Sequence, residues 1–386
     1  MQTKKDIYLD QSSTSFPKAP GVADAMWTLL EHHGVNIGRG NYQEAYSVEG
    51  DVLDTRLRLA KLFNVSDARN IIFTPGVTFS LNTFFEGYLK PGDHVVVSGM
   101  EHNAVMRPLK RLQSRRGVRY TIAKATERGE VPVESFEKAL ERDTKAIVTL
   151  HASNVAGTIL PAREIGQLCK ERGIVFALDT AQSAGSVEID MDAMHIDLLA
   201  FTGHKGLRGP QGIGGFAIAK DLVDLVDPLM VGGTGSRSNS FEQPDFMPDK
   251  YESGTMNIPG IIGLRAALIY LEEHGLSQMH NVKMTLTKRF LDGLATIKGV
   301  RPVGMPGIEG RTSVVSITAV DRDNAEIAFE LERDWNIMTR VGLHCAPIAH
   351  QSLGTFPQGT VRFSFGATNT EEEIDTALEA LAALTS

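Results

Sequence analysis

Short apolar runs alternate with amphipathic stretches through the first two thirds of the chain. Ile71–Thr74, His94–Ser98, Ala146–Leu150, Ile174–Leu178 and Leu198–Phe201 are almost unbroken apolar runs, the pattern of strands buried on both faces. Between them, Ser80–Tyr88, Val105–Arg116, Val133–Arg142 and Ala162–Arg172 repeat apolar residues at helical spacing. This alternation predicts an α/β domain on a mainly parallel sheet. In such sheets ligands sit beyond the carboxyl ends of the strands. Polar residues follow the runs there: Thr74-Pro-Gly, Glu101-His102, His151-Ala-Ser-Asn154, Asp179 and Thr202-Gly-His-Lys205.

The pattern breaks from Val231 to Gly260, where glycine, serine, proline and asparagine predominate. So long an irregular segment within a compact protein is usually functional or disordered. A helix over Ile261–His274 then leads into a second domain. Its predicted elements are helices Leu276–Lys298, Ala325–Asp334 and Glu371–Ala382, with strands Thr312–Ile317 and Thr360–Phe365.

Composition narrows the function classes. The 386 residues are 42% apolar, ordinary for a globular protein, and suggest two domains. Lys+Arg 39 against Asp+Glu 47 gives a net charge of −8 without a basic block, which argues against nucleic acid or anionic membrane as partners. The longest apolar stretch, IPGIIGLRAALIYL, carries Arg265 and falls short of a membrane span, and MQTKKDIYLD lacks the apolar core of a secretion signal. Cys169 and Cys345 are too few for a disulfide framework, and no CxxC suggests a metal. A soluble, cytoplasmic protein is expected.

The strongest candidate chemistry is Asp179 with Lys205, each ending a predicted strand. Pyridoxal phosphate needs this pair: a lysine amine for the Schiff base, and a carboxylate that keeps the pyridine nitrogen protonated. The plainer alternative makes Asp179 a helix cap and Lys205 a surface lysine. Gln182 could donate to the phenolic oxygen of the cofactor. Gly76, Val77 and Thr78 stand between a strand and a helix, where free amides and the helix dipole favour a phosphate, and Thr202 and His204 can converge on it. His102 could stack on a planar ring or cap the next helix. Cys345, in RVGLHCAP, sits in a tight loop suited to thiolate chemistry, with Arg340 or His344 to favour the charge. Cys169, on the apolar face of QLCKERG, is predicted to be core.

These motifs resemble the cysteine desulfurases of aminotransferase class V, most closely the SufS/CsdA-like branch that includes selenocysteine lyases. The resemblance runs through YLDQSSTSFPK, NIGRGNY, EHNAV, HASNVAGT, ALDTAQSAG, FTGHKGLRGPQGIGG, ESGTMNIPGIIGL, RVGLHCAP and VRFSFGATNT. It implies the pyridoxal-phosphate-dependent transferase fold type I. A large domain over residues 16–262 would carry a mainly parallel seven-stranded sheet. Residues 1–15 and 263–386 would form a smaller α+β domain carrying the Cys345 loop.

The same resemblance implies roles. Lys205 is the Schiff-base lysine, Asp179 the pyridinium partner, Gln182 the phenolic-oxygen donor and His102 the stacking ring. Thr78, Thr202 and His204 hold the phosphate beside Gly76 and Val77. Gly254 and Thr255 reach the phosphate of the other subunit of a homodimer. Asn154 and Arg362 hold the substrate carboxylate, Arg340 borders the substrate, and Cys345 accepts sulfur. The implied reaction turns L-cysteine into L-alanine, leaves a persulfide on Cys345 and passes the sulfur to an acceptor protein. A selenocysteine lyase is the nearest alternative, and an aminotransferase, epimerase or other carbon–sulfur lyase the next. The sequence departs from the family pattern at EHNAV, GVT and RVGLHCA, with Asn103, Val77 and Leu343 at the changed positions.

Overall fold

A computed structural model describes residues 6–38, 40 and 42–385. Residues 1–5, Arg39, Asn41 and Ser386, which belong to the implied small domain and to NIGRGNY, lie outside the described residues. After β1 (Ile7–Tyr8), seven strands build the central sheet. They are β2 (Ile71–Thr74), β3 (His94–Ser98), β4 (Arg119–Ala123), β5 (Thr144–Leu150), β6 (Val175–Asp179), β7 (Leu198–Thr202) and β8 (Gly214–Ile218). Their order is β2-β8-β7-β6-β5-β3-β4. Only β8 runs against its neighbours in this sheet, pairing Ile71 with Ala217 on one side and Leu198 with Ile218 on the other.

The apolar runs follow from burial on both faces. Val96 and Ile147 join the core on one side, while Val95, Val97, Ala146 and Val148 join the core on the other. A strand alternates its side chains between faces, so both sets must be apolar. Helices α1 (Val22–His32), α2 (Gln43–Phe63), α3 (Val77–Tyr88), α4 (Asn103–Arg116), α5 (Val133–Ala139), α6 (Ala162–Arg172) and α7 (Lys220–Val223) come from the first 223 residues. Residues of α3 and α4 cover one face; those of α2, α6 and α8 (Ile258–His274) cover the other.

The rest is α9 (Leu276–Leu294), β9 (Val300–Val303), β10 (Val314–Ala319), α10 (Asn324–Trp335), β11 (Ile337–Met338), β12 (Arg340–Gly342), α11 (Pro347–Ser352), β13 (Thr360–Ser364) and α12 (Glu371–Thr385). An antiparallel sheet, β12-β13-β10-β9, packs a separate core that includes Phe290, Phe363 and Ile374. The chain start returns to it, because β1 pairs with β11 in parallel. Helix α9 spans both cores, with Met279 in the first and Leu286 in the second.

The predicted elements form with small shifts. Helix α5 stops at Ala139, because Leu140 is extended, short of the predicted Arg142. Helix α8 begins earlier than predicted, at Ile258, where the Asn257 side chain accepts from the Gly260 amide at 3.0 Å. Between α7 and α8 the irregular segment is held by its own polar contacts. Tyr251 donates to the Val226 carbonyl at 2.9 Å, and Glu252 accepts from the Phe73 amide at 2.7 Å while pairing with Arg56. No helix among the described residues is long and apolar enough to cross a membrane.

Candidate active site

Since β8 opposes both β2 and β7, those two strands share a direction with β3, β5 and β6. Their carboxyl ends therefore open on one rim, and a cavity of about 660 Å³ lies there. Gly76, Val77 and Thr78 line it from the β2–α3 turn, and His102 and Asn154 from the ends of β3 and β5. Asp179, Gln182, Thr202, His204 and Lys205 complete the wall from β6 and β7. Gly254 and Thr255 are exposed and do not line it, and the Gly254 amide donates to the Gly233 carbonyl at 2.8 Å.

Asp179 ends β6 at 4% exposure, and its Oδ1 accepts from the Ala181 amide at 2.8 Å. Burial pushes its carboxyl up, opposed by that amide and by the Lys205 charge. Burial pulls the Lys205 amine down to about 8; Asp179 works against that pull, while Arg362 and Arg340 add to it. The His204 carbonyl beside Lys205 accepts from the Ser15 amide at 2.8 Å and from Lys18 Nζ at 3.1 Å, which fixes the turn carrying the amine.

The β2–α3 turn leaves backbone donors open to the cavity. Gly76 takes φ 150° and no side chain caps α3, so the first-turn amides and the positive dipole end meet the cavity. A side chain on Gly214 would lie 2.8 Å from Gly76 Cα, so glycine lets β8 cross beneath this turn. His102 caps α4, its Nδ1 accepting from the Ala104 amide at 3.0 Å, and the residue also lines the cavity. Burial and the nearby Lys205, Arg340, Arg107 and Arg362 charges bring it to about 4, so the ring is neutral.

The three remaining predicted residues form an adjoining polar cluster. Arg362 is 1% exposed and donates to the Asn154 carbonyl at 3.0 Å, Asp10 Oδ1 at 2.7 Å and Ser13 Oγ at 2.8 Å. Arg340 donates to Ser13 Oγ at 3.2 Å and reaches Cys345 Sγ at 3.7 Å. Cys345 is exposed, with its carbonyl accepting from the Asn103 amide at 2.8 Å. His344 and Cys345 take φ 48° and 58°, a left-handed pair that non-glycine residues adopt only under tertiary constraint. His344 cannot supply the cation expected near the thiol. It is buried, shares a 2.9 Å hydrogen bond with Thr360, and is held at about 2 by burial and by Arg362. Arg340 is the neighbouring cation. Cys169 is core, 1% exposed, and burial drives its thiol far upward.

Sequence reading missed Asp10 and Ser13, whose contacts to Arg362 span most of the chain. It noted Glu101 only as a polar rim residue. That carboxyl is fully buried, accepts from the Leu150 amide at 3.1 Å and from Ser98, and is pushed up to about 8 by burial.

The residues fit pyridoxal phosphate. Asp179 and Lys205 face one cavity without a direct ion pair, the helix end is uncapped, and two buried polar atoms, Asn154 Oδ1 and His204 Nδ1, have no partner among the described residues.

Known proteins share this architecture. A probable cysteine desulfurase of Methanothermobacter thermautotrophicus is 33% identical over 97% of this chain and 94% of its own length. The apo cysteine desulfurase of Thermococcus onnurineus NA1 superposes with a TM-score of 0.92 at 31% identity, covering 98% of this chain and 94% of the other. The cysteine desulfurase CsdA of Escherichia coli, solved as the S-sulfonic acid, gives 0.88 at 27% identity, covering 99% and 96%. Aminotransferase class-V matches residues 7–377, and the chain belongs to that family.

Proposed function

We propose that the protein is a pyridoxal-phosphate-dependent cysteine desulfurase, converting L-cysteine to L-alanine and leaving the sulfur on Cys345 as a persulfide. One observation carries the reading: a cavity walled by Asp179 and Lys205 adjoins an exposed cysteine with Arg340 at 3.7 Å from its sulfur. The names of the relatives agree with it.

Lys205 would hold the aldehyde carbon of the cofactor, Asp179 its ring nitrogen, Gln182 its phenolic oxygen and His102 its ring face. Val77, Thr78, Thr202 and His204, with Gly76, would hold the phosphate. When bound, pyridoxal phosphate supplies an electrophilic carbon for the substrate amine and a ring that accepts the electron pair left at Cα. Asn154 and Arg362 orient the substrate carboxylate. Lys205 would take the Cα proton, a task its lowered basicity suits near neutral pH. Asp179 would keep a proton on the ring nitrogen. The Cys345 thiolate then attacks the substrate sulfur. The carbon–sulfur bond breaks with its electron pair on Cβ, a persulfide remains on Cys345, and the carbon fragment takes one proton at Cβ, regains the Cα proton from Lys205 and leaves as alanine.

Exposure of Cys345 suits onward transfer of sulfur to an external acceptor protein. Exposed Gly254 and Thr255 suit a homodimer in which each protomer completes its partner's phosphate site. Two domains, residues 16–262 and residues 1–15 with 263–386, and a cytoplasmic location complete the proposal.

Cys345→Ala tests the reading. Alanine formation from cysteine is expected to stop while the protein still takes up cofactor and turns yellow. Cyanolysis of the cysteine-treated wild type is expected to find labile sulfur on Cys345 and none on Cys169. Selenocysteine cleavage should fall less, because selenium leaves more readily. Wild-type turnover of cysteine by Cys345→Ala overturns the mechanism.

A further inference from the structure

A second, smaller cavity of about 50 Å³ shares Lys205 and Gln182 with the first. Its remaining walls take no part in the reaction above. Hydroxyl-bearing Ser12, Ser15, Ser186 and Ser364 line it, together with two cations, Arg208 and Lys283.

Both cations are buried. Lys283, on α9, is 7% exposed, and its Nζ donates to Ser186 Oγ at 2.8 Å. Arg208 is 8% exposed; its Nη2 donates to the Pro17 and Lys18 carbonyls at 3.3 and 3.4 Å, and its guanidinium lies 5.0 Å from the Tyr270 ring centre. Arg208 Nη1 is buried with no partner among the described residues. Among the described residues neither cation forms an ion pair with a carboxylate. The charge acting on Lys283 is that of Arg208, and the nearby Lys18 and Lys205 add positive charge. Burying like charges without a counter-charge is costly, so a fold that keeps them places an anion there or gives up a proton.

We infer that this cavity binds a small monovalent anion of halide size, held between the Lys283 ammonium and the unpartnered Arg208 Nη1 and solvated by the surrounding hydroxyls. The volume agrees, since on this measure one water needs about 10–15 Å³ and an amino acid far more than is present. Burial and Arg208 pull Lys283 down to about 8, and an anion in contact with it removes that burden. The walls come from both sides of the molecule: Ser186 and Arg208 precede α8, while Lys283 and Ser364 lie in α9 and β13. A bound anion therefore clamps the small sheet against the large one, directly beside the amine of Lys205.

The test reads stability and electron density rather than turnover. Holoenzyme is melted while sodium chloride replaces sodium gluconate at constant ionic strength; gluconate is too large for the cavity. Wild type is expected to gain about 2–5 °C in Tm in a saturable way. Lys283→Met should melt higher than wild type in gluconate and show no response to chloride. Crystals of the wild type grown with bromide should show an anomalous peak between Lys283 Nζ and Arg208 Nη1, which keeps the test decisive if the variant does not fold. A wild-type melt indifferent to chloride, a Lys283→Met response equal to wild type, or bromide absent from the cavity overturns the inference. Each of these results leaves the desulfurase reading untouched.

Discussion

On the proposed reading Lys205 sits where two requirements meet: its amine must be neutral to combine with an aldehyde, yet it needs a carboxylate nearby to hold the ring protonated. Burial dominates and brings it to about 8, with Arg362 and Arg340 lowering it further and Asp179 and Asp10 raising it. The rate at which cofactor-free protein takes up pyridoxal phosphate should therefore rise with pH through about 8 and then level. An ordinary lysine would keep climbing toward 10.5, and a profile of that shape contradicts the assignment. Asp179→Asn should move the midpoint lower, because the charge that raises it is gone. On the same reading Arg340 supports a different step. Its contacts to Ser13 and to Cys345 Sγ predict that Arg340→Leu lowers kcat for alanine formation about 10–100-fold, the value of one hydrogen bond to a charged group, while the cofactor spectrum stays as in wild type. Lys205 and Asp179 were legible in the sequence because strand ends deliver side chains to a known rim. The choice between Arg340 and His344 was not, because only packing shows that His344 turns inward to Thr360.

The central sheet and the α3 turn work as one piece, and glycine is what lets them meet. A Cβ at position 214 would stand 2.5 Å from the Phe201 carbonyl and 2.8 Å from Gly76 Cα. Gly214→Ala should lose about 1–3 kcal/mol of stability and, on the proposed reading, weaken cofactor binding, because backbone must move beneath the β2–α3 turn and Thr202. Thermal melts and a pyridoxal phosphate titration check both halves; an unchanged Tm would show the crossing to be soft. This crossing also explains what periodicity could not find. In GPQGIGGFAIAK the glycines read as a turn, although β8 lies buried between β2 and β7, since a requirement for close backbone approach leaves no apolar signal. Strand β4 escaped for the opposite reason. It is an edge strand with Arg119 and Ile122 exposed, so RYTIA lacks the all-apolar signature of its neighbours. The other strands of this sheet that are buried on both faces were read to within two residues, because there local pattern and tertiary demand agree.

At the scale of the whole molecule, large apolar side chains remain open on the two helices nearest the chain start. Trp27 and Leu30 of α1 are 60% and 69% exposed, and Tyr46, Leu53 and Leu57 of α2 are each at least half exposed. One face of α1 buries Val22 and Leu29, while Trp27, whose ring meets His32 edge-on, and Leu30 stay open to solvent. Apolar groups left open in this way suit an interface with another chain. A twofold dimer would make it self-complementary, and it would also give exposed Gly254 and Thr255 a site to serve. Sedimentation equilibrium should find a dimer, and Leu53→Glu with Leu57→Glu should weaken it. The shared site has a sharper test. Thr255→Glu puts a carboxylate against the partner's phosphate, and Lys205→Ala removes the reactive amine, so each homodimer should be inactive. Mixed subunits should assemble one site with both native residues, restoring about a quarter of wild-type activity in a random mixture. No recovery on mixing two inactive but folded variants that do exchange subunits would mean that Thr255 serves its own protomer, and the exposed helices would need another partner.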